Sequence, residues 1–273
     1  MQRGVLGIIA GKGVYPGMVI EGARKTGVDR IVVAAFEDET SDSVIAKADA
    51  QHWLKVGQLG KLIEFFKKES ATHAIMAGQI TPKRLFDLKP DFRALILLAR
   101  LRERNAETIF GAVGAELEKN GIHLLPATSY IENHLASMGW IAGPKPSHTL
   151  LEDIEFGGPI AKKVSELDIG QTIVVKRGTV LAVEGYEGTD DTILRGGELG
   201  QKKGIVVIKV SKPKQDFRFD VPVIGPTTLK VAAKAGVICI ACEAKKTLLL
   251  ERSQITELAK KYKITVLGHD FSH

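Results

Sequence analysis

A short stretch in the last third of the chain carries charges of both signs at close spacing. Residues 211–229 read SKPKQDFRFDVPVIGPTTL and include Lys212, Lys214, Asp216, Arg218 and Asp220. Lysine offers a point charge to phosphate oxygens, and the planar guanidinium of arginine grips two of them at once. A carboxylate among such cations is typical of a metal–phosphate site, in which the carboxylate holds the metal and the cations hold the anion. The alternative is an edge strand stabilised by salt bridges.

The order of residues within this stretch predicts an extended segment. Asp216 and Asp220 alternate with Phe217 and Phe219, so a strand would present both acids on one face and both rings on the other. Downstream, the Gly-Pro pair at 225–226 predicts a helix start whose N-terminal amides face the same loop. This continuation favours charges gathered around a ligand over an ordinary solvated loop.

Two glycine turns are further candidates for ligand contact. Gly11 and Gly13 follow the first apolar run, and glycines between a first strand and a first helix let the backbone approach a phosphate. Pro16 stands where the dinucleotide-binding pattern has its third glycine, so a plain tight turn is equally open. Gly78 and Gln79 follow a later strand, at the edge where open parallel sheets bind ligands. A simple turn before a Thr-Pro break is the alternative there.

An acidic stretch lies at a predicted strand-to-helix transition. Residues 184–191 read EGYEGTDD. Thr189 or Asp190 can cap the helix through its side-chain oxygen. The carboxylates also suit Mg²⁺, which takes few protein ligands and completes its shell with water and phosphate oxygens. Capping and metal binding are both left open.

Periodicity predicts an α/β protein of two mixed domains, the first of them Rossmann-like with a mostly parallel sheet. We expect an N-terminal domain over 1–138, a Gly- and Pro-rich linker over 139–150, and a C-terminal domain over 151–273 that carries the candidate catalytic aspartate. A chain of 273 residues favours two domains over one. Strands are predicted near 4–10, 30–35, 73–77, 122–125, 171–176, 179–184, 205–210, 237–242 and 264–267, and helices near 16–26, 58–69, 91–104, 106–119, 129–136, 151–166, 190–199, 227–235 and 252–262.

Composition and absent motifs narrow the function classes. The chain is 44% hydrophobic and 26% charged with a net charge of +6, which indicates a globular protein and weakly favours an anionic partner. No P-loop or Gly-x-Ser-x-Gly elbow is present, which disfavours a catalytic triad. Cys239 and Cys242 lie in an apolar run that indicates a buried strand rather than a zinc or redox site.

Four segments together resemble the LpxI-type UDP-2,3-diacylglucosamine pyrophosphatases of Gram-negative bacteria. They span nearly the whole chain: IIAGKGVYP at 8–16, DIGQTIVV at 168–175, LAVEGYEGTD at 181–190 and KPKQDFRFDVPVIGPTT at 212–228. The C-terminal segments are the specific ones. The resemblance implies two α/β domains with the lipid substrate held between them. It also implies a Mg²⁺-dependent hydrolase of lipid A synthesis that splits UDP-2,3-diacylglucosamine into UMP and 2,3-diacylglucosamine 1-phosphate (lipid X).

The resemblance also assigns roles to residues. Asp220 corresponds to the essential carboxylate of the family, and we expect it to bind Mg²⁺ with Asp190 assisting. Lys212 and Arg218 would stabilise the pyrophosphate oxygens while water attacks phosphorus, and the family favours the sugar-side phosphorus. The expected substrate contacts are Gly11, Gly13, Gly78, Gln79, Thr189, Gln215, Gly225 and Thr228.

Such an enzyme is expected to be cytoplasmic and to meet its acylated substrate at the inner face of the inner membrane. We expect no nucleic-acid partner, and a homo-oligomer is left open. Acyl chains need an apolar groove, for which Phe92, Leu95, Ile96, Leu98 and the leucines at 248–250 are candidates, although core packing is the expected task of each.

Two rival functions have sequence support. An NAD-linked oxidoreductase would use the glycine turn at 11–13 with Glu37 or Asp38 on the ribose. A protein without catalytic activity would bind a sugar nucleotide, or an RNA that stacks on Phe217 and Phe219.

Overall fold

The computed structural model describes residues 4–80 and 90–272. The chain divides into two compact units by its internal contacts. Unit 1 comprises the residues up to Glu132 together with Asp216–Asp220, and unit 2 comprises Asn133–Gln215 together with the residues from Val221 onward. The charged stretch at 211–229 is therefore shared, because Asp216–Asp220 belong to unit 1 and the residues before and after them belong to unit 2.

Unit 1 is built on a parallel sheet with the strand order β3-β2-β1-β4-β5. The central strands are almost continuously buried, as is usual for parallel strands covered on both faces. Its elements in chain order are β1 (Val5–Ala10), α1 (Tyr15–Lys25), β2 (Arg30–Phe36), α2 (Asp42–Ile45), β3 (Ala50–Leu54), α3 (Leu59–Lys68), β4 (Ala71–Ala77), α4 (Phe92–Ala99), α5 (Ala106–Lys119), β5 (His123–Leu124) and a 3₁₀ turn (Glu132–His134) that reaches into unit 2.

This strand order creates a topological switch point in unit 1. The chain moves outward from β1 to β2 and β3, then returns to the other side of β1 with β4. Sheets of this kind bind ligands in the crevice outside the carboxyl ends of the strands at which the order reverses. The predicted turns after β1 and β4 flank that crevice.

Unit 2 contains a mixed sheet with the order β6-β13-β11-β9-β7-β8 and a small parallel pair, β10-β12. Strands β9, β11 and β13 are parallel to one another, while β6, β7 and β8 are antiparallel to their neighbours. The elements are β6 (Gly139–Ala142), α6 (His148–Glu166), β7 (Thr172–Lys176), β8 (Thr179–Val183), α7 (Thr189–Leu199), β9 (Ile205–Lys209), β10 (Val223–Ile224), α8 (Pro226–Lys234), β11 (Val237–Glu243), β12 (Leu248–Leu249), α9 (Arg252–Tyr262) and β13 (Thr265–His269).

Alternate side chains of this sheet enter two separate cores. Val174, Val207 and Ile240 pack on the side that α7, α8 and α9 cover. Their chain neighbours, such as Ile173 and Val206, pack on the side that α6 covers. A sheet that is apolar on both faces needs helices on both, which explains why unit 2 has three layers.

The predicted fold class is confirmed, and most predicted elements are present within a few residues of their expected bounds. Strand β3 went unpredicted because it is an edge strand with mostly exposed polar residues. The stretch 139–150, predicted as a linker, contains strand β6 and the first turn of α6, and the helix expected near 129–136 is only a 3₁₀ turn. Among the described residues, no helix combines the length and apolarity needed to cross a bilayer.

A buried carboxylate joins α6 to the hairpin of unit 2. Asp153 is only 5% exposed, and its two oxygens accept the backbone N–H groups of Arg177 and Gly178 at 3.0 and 2.8 Å. These residues form the tight turn between β7 and β8. The side chain of Asp153 therefore holds the edge hairpin against the helix.

We expect Asp153→Ala to lower the free energy of unfolding by about 2 kcal/mol, because the backbone N–H groups of Arg177 and Gly178 lose a charged, buried acceptor. Chemical denaturation followed by circular dichroism measures the change. Glu152→Ala is the control on the same helix. This glutamate forms an exposed pair with His148, and its loss should cost less than about 0.5 kcal/mol. Equal stability of the two variants would contradict the assigned role of Asp153.

Candidate functional site

A buried glutamate anchors the start of the charged segment in unit 2. Glu243, the last residue of β11, is 1% exposed. Its Oε2 accepts the backbone N–H and the hydroxyl of Ser211 at 2.7 and 2.8 Å, and Lys162 and Lys246 donate to the same carboxylate. Burial alone would raise the pKa of Glu243, but these hydrogen bonds outweigh it and lower that pKa. Ser211 is thereby fixed next to Lys212.

Lys212 begins a turn that positions its own side chain. Its backbone N–H donates to Oε1 of Gln215 at 2.6 Å, and Gln215 donates back from its backbone to the Lys212 carbonyl at 3.2 Å. The ammonium group of Lys212 forms an ion pair with Asp168, which follows α6 with a left-handed backbone conformation. The side chain of Lys212 is 18% exposed, while that of Asp168 is half exposed. Gln215 thus stabilises the turn that carries Lys212 through two hydrogen bonds to the Lys212 backbone.

A second polar cluster lies at the same edge of the sheet, where β8 and β9 end. Lys209 donates from Nζ to the hydroxyl of Thr189 at 2.6 Å, and that hydroxyl donates to Oε1 of Glu184 at 2.9 Å. The prediction that Thr189 or Asp190 caps α7 is wrong. The N-cap is Gly188, at φ 86°, without a side-chain cap bond. The helix begins one residue earlier than predicted, so the Thr189 hydroxyl is free to bind the cluster instead.

Asp190 lies in the first turn of α7, half-buried beside this cluster. Burial raises the pKa of Asp190, the charge of Lys209 opposes the rise, and the negative charges of Asp191 and Glu184 add to it. A carboxylate whose negative form is disfavoured by its surroundings gains from a nearby cation. A cation bound beside Asp190 would offset this penalty.

The last part of the charged segment is a turn and not the predicted strand. In unit 1, the backbone N–H groups of Phe219 and Asp220 both donate to the carbonyl of Asp216, at 3.2 and 2.9 Å. Arg218 folds back onto Asp216, with Nε to Oδ1 at 3.0 Å and Nη2 to Oδ2 at 2.7 Å. These bonds hold the pKa of Asp216 below its usual range. The expected alternation of acids and rings on two faces is therefore absent.

Two contacts fix this turn in unit 1. The backbone N–H of Ala127 donates to the carbonyl of Phe217 at 2.7 Å. The ring of Phe219 packs against that of Phe110 on α5, with centroids 6.1 Å apart. The aromatic residues therefore anchor the turn that presents Arg218 and Asp220, which leaves Phe219 unavailable for stacking on an RNA base.

The glycine turns at the switch point of unit 1 meet each other. The N–H of Gly11 donates to the carbonyl of Ala77 at 2.8 Å, and the N–H of Lys12 donates to that of Gln79 at 2.8 Å. A Cβ at Gly11 would come within 2.6 Å of the Gln79 carbonyl oxygen, and one at Gly78 within 2.6 Å of the Lys12 oxygen. The structure thus brings these predicted residues together, and close backbone approach explains both glycines. At Gly13, with φ +86°, the backbone conformation favours glycine and nothing lies within 4 Å of the Cβ position.

An apolar cavity of about 100 Å³ opens beside the carboxyl ends of β1, β2 and β4 in unit 1. A cavity of this order is large enough to take up a small hydrocarbon. Phe110 lines the cavity on one side and packs against Phe219 on the other. The other lining side chains used below are Leu62 on α3, Ala94, Leu97 and Leu98 on α4, and Val113 on α5.

Gly225 and Thr228 lie where the structure begins α8 in unit 2. Gly225 is the N-cap and Pro226 occupies the first turn, as predicted. Thr228 is partly exposed in that first turn. The predicted helix start is present.

Several residues of these clusters were not singled out from the sequence. Lys209 and Glu243 each end a buried apolar strand, at the carboxyl edge of the unit 2 sheet. A charged residue that closes such a run is the signal that would have found them. Asp168 lies in a quoted motif, but its partner Lys212 is distant in sequence. Glu184 and Thr189 lie together in another quoted motif, and the distant member of their cluster is Lys209. The two cysteines are buried as predicted, and burial raises the pKa of both thiols to about 12.

No group of three or more His, Cys, Asp or Glu side chains in the described part of the chain is arranged to hold a metal ion. Mg²⁺ is commonly held by one or two carboxylates together with water and substrate phosphates. The partly buried carboxylate of Asp190, disfavoured in its charged form, fits that donor set. A site in which the protein supplies every metal ligand is not what these residues form.

Comparisons with known proteins cover the whole described fold. The LpxI N-terminal domain family matches residues 5–134, and the LpxI C-terminal domain family matches residues 137–267. The UDP-2,3-diacylglucosamine pyrophosphatase LpxI of Caulobacter vibrioides is 30% identical over an alignment of 277 positions, which covers 97% of this chain and 97% of that protein.

Solved structures give weaker likenesses. The biotin carboxylase domain of the 2-oxoglutarate carboxylase of Hydrogenobacter thermophilus is 15% identical, with a TM-score of 0.28 over 75% of this chain and 43% of that one. The N5-carboxyaminoimidazole ribonucleotide synthetase of Thermotoga maritima is 16% identical, with a TM-score of 0.24 over 68% and 42%. This chain therefore spans less than half the length of either structure.

Both halves of the chain match their respective family domains, and the relative from Caulobacter aligns over nearly its full length. The chain belongs to the LpxI family, which confirms the resemblance found in its motifs and the prediction that it is a hydrolase.

Proposed function

We propose that this protein hydrolyses the pyrophosphate of UDP-2,3-diacylglucosamine to UMP and 2,3-diacylglucosamine 1-phosphate, with Mg²⁺ as its cofactor. The observation that carries the proposal is the contact of a charged turn with an apolar cavity in unit 1. Phe219 packs on Phe110, which lines the cavity, and Arg218 and Asp220 flank Phe219 in the turn. A substrate with a pyrophosphate and acyl chains needs both environments within reach of one molecule.

The cations of the segment have partners that a phosphate can replace. Arg218 is paired with Asp216 and its side chain is 38% exposed, so its guanidinium is oriented yet accessible. Partly exposed ion pairs contribute little to stability, and exchanging a carboxylate for a phosphate oxygen costs little. Arg218 and Lys212 are therefore suited to stabilise charge on the phosphate oxygens as the anhydride bond breaks.

Asp220 in unit 1 and Asp190 in unit 2 are each proposed to bind Mg²⁺ through the carboxylate, with oxygens of substrate and water as the other ligands. Bound there, the ion would neutralise charge on the pyrophosphate. The chain's own contribution is to orient Asp220 through the turn at 216–220 and to hold Asp190 in a partly buried setting. Lys209 and Thr189 keep Glu184 engaged beside Asp190.

The geometry of the glycine turn at 11–13 argues against the alternative function as an NAD-linked oxidoreductase. A dinucleotide phosphate requires unpaired amides at the first turn. The amides of Gly11 and Lys12 already donate to β4 and its following turn. The apolar cavity at that edge also favours a hydrocarbon over a nucleotide.

Asp220→Ala should reduce UMP release by at least about a thousandfold, because a carboxylate that acts at the reacting phosphate is lost. The backbone bond from Asp220 to Asp216 does not involve the side chain, so the variant can keep this bond. Circular dichroism and the melting temperature check that the variant is folded. Asp29→Ala, at an exposed aspartate of unit 1, is the control and should keep full activity. Near-normal hydrolysis by the Asp220 variant would refute the assignment.

Asp190→Asn should raise the Mg²⁺ concentration needed for half-maximal activity by about tenfold or more, because a metal ligand is lost. The neighbouring Asp191→Asn is the matched control, since Asp191 is exposed in the same helical turn. Titration of UMP release against Mg²⁺ measures both. An identical Mg²⁺ dependence in the two variants would contradict metal binding by Asp190.

Val113→Phe should lower kcat/KM for a substrate with long acyl chains by about tenfold relative to one with short chains, because the larger ring fills the cavity. Ala115→Phe adds the same ring to the exposed face of α5 and should leave the ratio unchanged. If both variants keep the wild-type ratio of the two kcat/KM values, the cavity does not bind an acyl chain.

A further inference from the structure

Helix α4 is apolar on two opposite sides. Its inner side chains, Ala94, Leu97 and Leu98, line the cavity of unit 1. On the opposite side, spaced three and four residues apart, Phe92, Leu95 and Ile96 are 78%, 54% and 38% exposed. We call these three residues and the exposed Ala99 the outer face of α4. A helix that is hydrophobic all round is normally buried or in contact with lipid.

Basic residues surround this outer face. Arg93 lies within the helix, and Arg100, Arg102 and Arg104 follow it, all four exposed. The stretch 92–104 contains four arginines and a single glutamate, which gives a net charge of +3. Exposed apolar side chains beside arginines are the composition of helices that lie in the interface of an anionic bilayer.

We propose that the outer face of α4 docks unit 1 onto the surface of a membrane containing anionic phospholipid. The apolar side chains would enter the boundary between headgroups and acyl chains, and the arginines would contact lipid phosphates. The inner face of the same helix lines the cavity. Helix α4 alone would therefore separate the bilayer from the cavity proposed to bind an acyl chain.

Charge favours a bilayer over a second copy of this chain. In a two-fold symmetric dimer the same patch faces itself, so the outer faces of two copies would meet. Arg100, Arg102 and Arg104 of each copy would then face those of the other, and like charges repel. An anionic lipid surface has the opposite charge and accepts the arginines.

The test is co-sedimentation of the full chain with vesicles, without substrate. One set of vesicles is phosphatidylcholine alone, and the other contains equal parts of phosphatidylcholine and phosphatidylglycerol. We expect the wild type to bind the anionic vesicles at least about tenfold more tightly than the neutral ones, and high salt to weaken this binding.

The variant with Leu95→Gln and Ile96→Gln together should lose at least about tenfold in affinity for the anionic vesicles, because it removes two apolar side chains from the interface. The control combines Leu167→Gln with Leu199→Gln, at residues of unit 2 that are 71% and 61% exposed, and should bind as the wild type does. Leu95 and Ile96 were candidates for the acyl groove on sequence grounds, but they are exposed and do not line the cavity proposed to take the acyl chain. Neither variant changes a residue that lines this cavity or one proposed to act on the phosphates.

Three results would overturn the proposal: no binding of wild type to anionic vesicles, equal binding by the α4 variant, or equal loss in the control. A wild-type dimer that the α4 variant dissociates, with no vesicle binding, would assign the face to self-association instead. The proposal goes beyond the hydrolase function and is tested separately. Hydrolysis of detergent-dispersed substrate should persist in the α4 variant, so failure of vesicle binding and failure of hydrolysis are distinguishable.

Discussion

The buried carboxylate of Glu243 determines where the charged segment leaves the sheet of unit 2. It lies at the end of β11 and receives hydrogen bonds from Ser211, Lys162 and Lys246. A buried carboxylate that loses its donors is costly, whereas one with all its donors is tolerated. Ser211 therefore cannot move without breaking the network, and Lys212 starts from a fixed position.

The solvent-facing ion pairs of the segment, in contrast to the buried network at Glu243, can be broken at little cost. The pairs Lys212–Asp168 and Arg218–Asp216 each contain a side chain that is well exposed, so each contributes little to stability. Such pairs orient the lysine or arginine side chain but can be broken at little cost. The strong interactions of the segment hold its backbone, and the weak ones hold the groups proposed to meet phosphate. A pyrophosphate can thus displace a carboxylate partner while the backbone that carries the cation stays in place.

The sequence predicted the buried strands well because their apolar runs are long and continuous. It failed where a strand is exposed, as in Ala50–Leu54, and where glycine and proline surround a short strand, as in Gly139–Ala142. The stretch Asp216–Asp220 shows a deeper limit. Its alternation of acidic and aromatic residues is typical of a strand. The structure has a turn there instead, which a contact of Phe219 with Phe110 stabilises, and Phe110 is more than 100 positions away in the chain. No local pattern contains that contact. The candidate residues of this stretch were found because several charges in one short segment are visible in sequence. Asp168, which pairs with Lys212, and Glu243, which fixes Ser211, were not singled out because they lie far away in the chain.

The switch point of unit 1 is where a Rossmann-like sheet usually presents free amides to a phosphate. Here Gly11 and Gly78 instead allow two backbone turns to pack against each other, and the amides of Gly11 and Lys12 are used in that contact. The space beside them is lined by apolar side chains from α3, α4 and α5. Backbone pairing therefore replaces anion binding at this edge, and the crevice suits a hydrocarbon. The charges proposed to act on phosphate lie on the segment from Lys212 to Asp220. The sheet edge of unit 2 anchors one end of this segment, and the aromatic contact in unit 1 anchors the other. Each of the two chemistries that an acylated pyrophosphate requires thus has its own structural support.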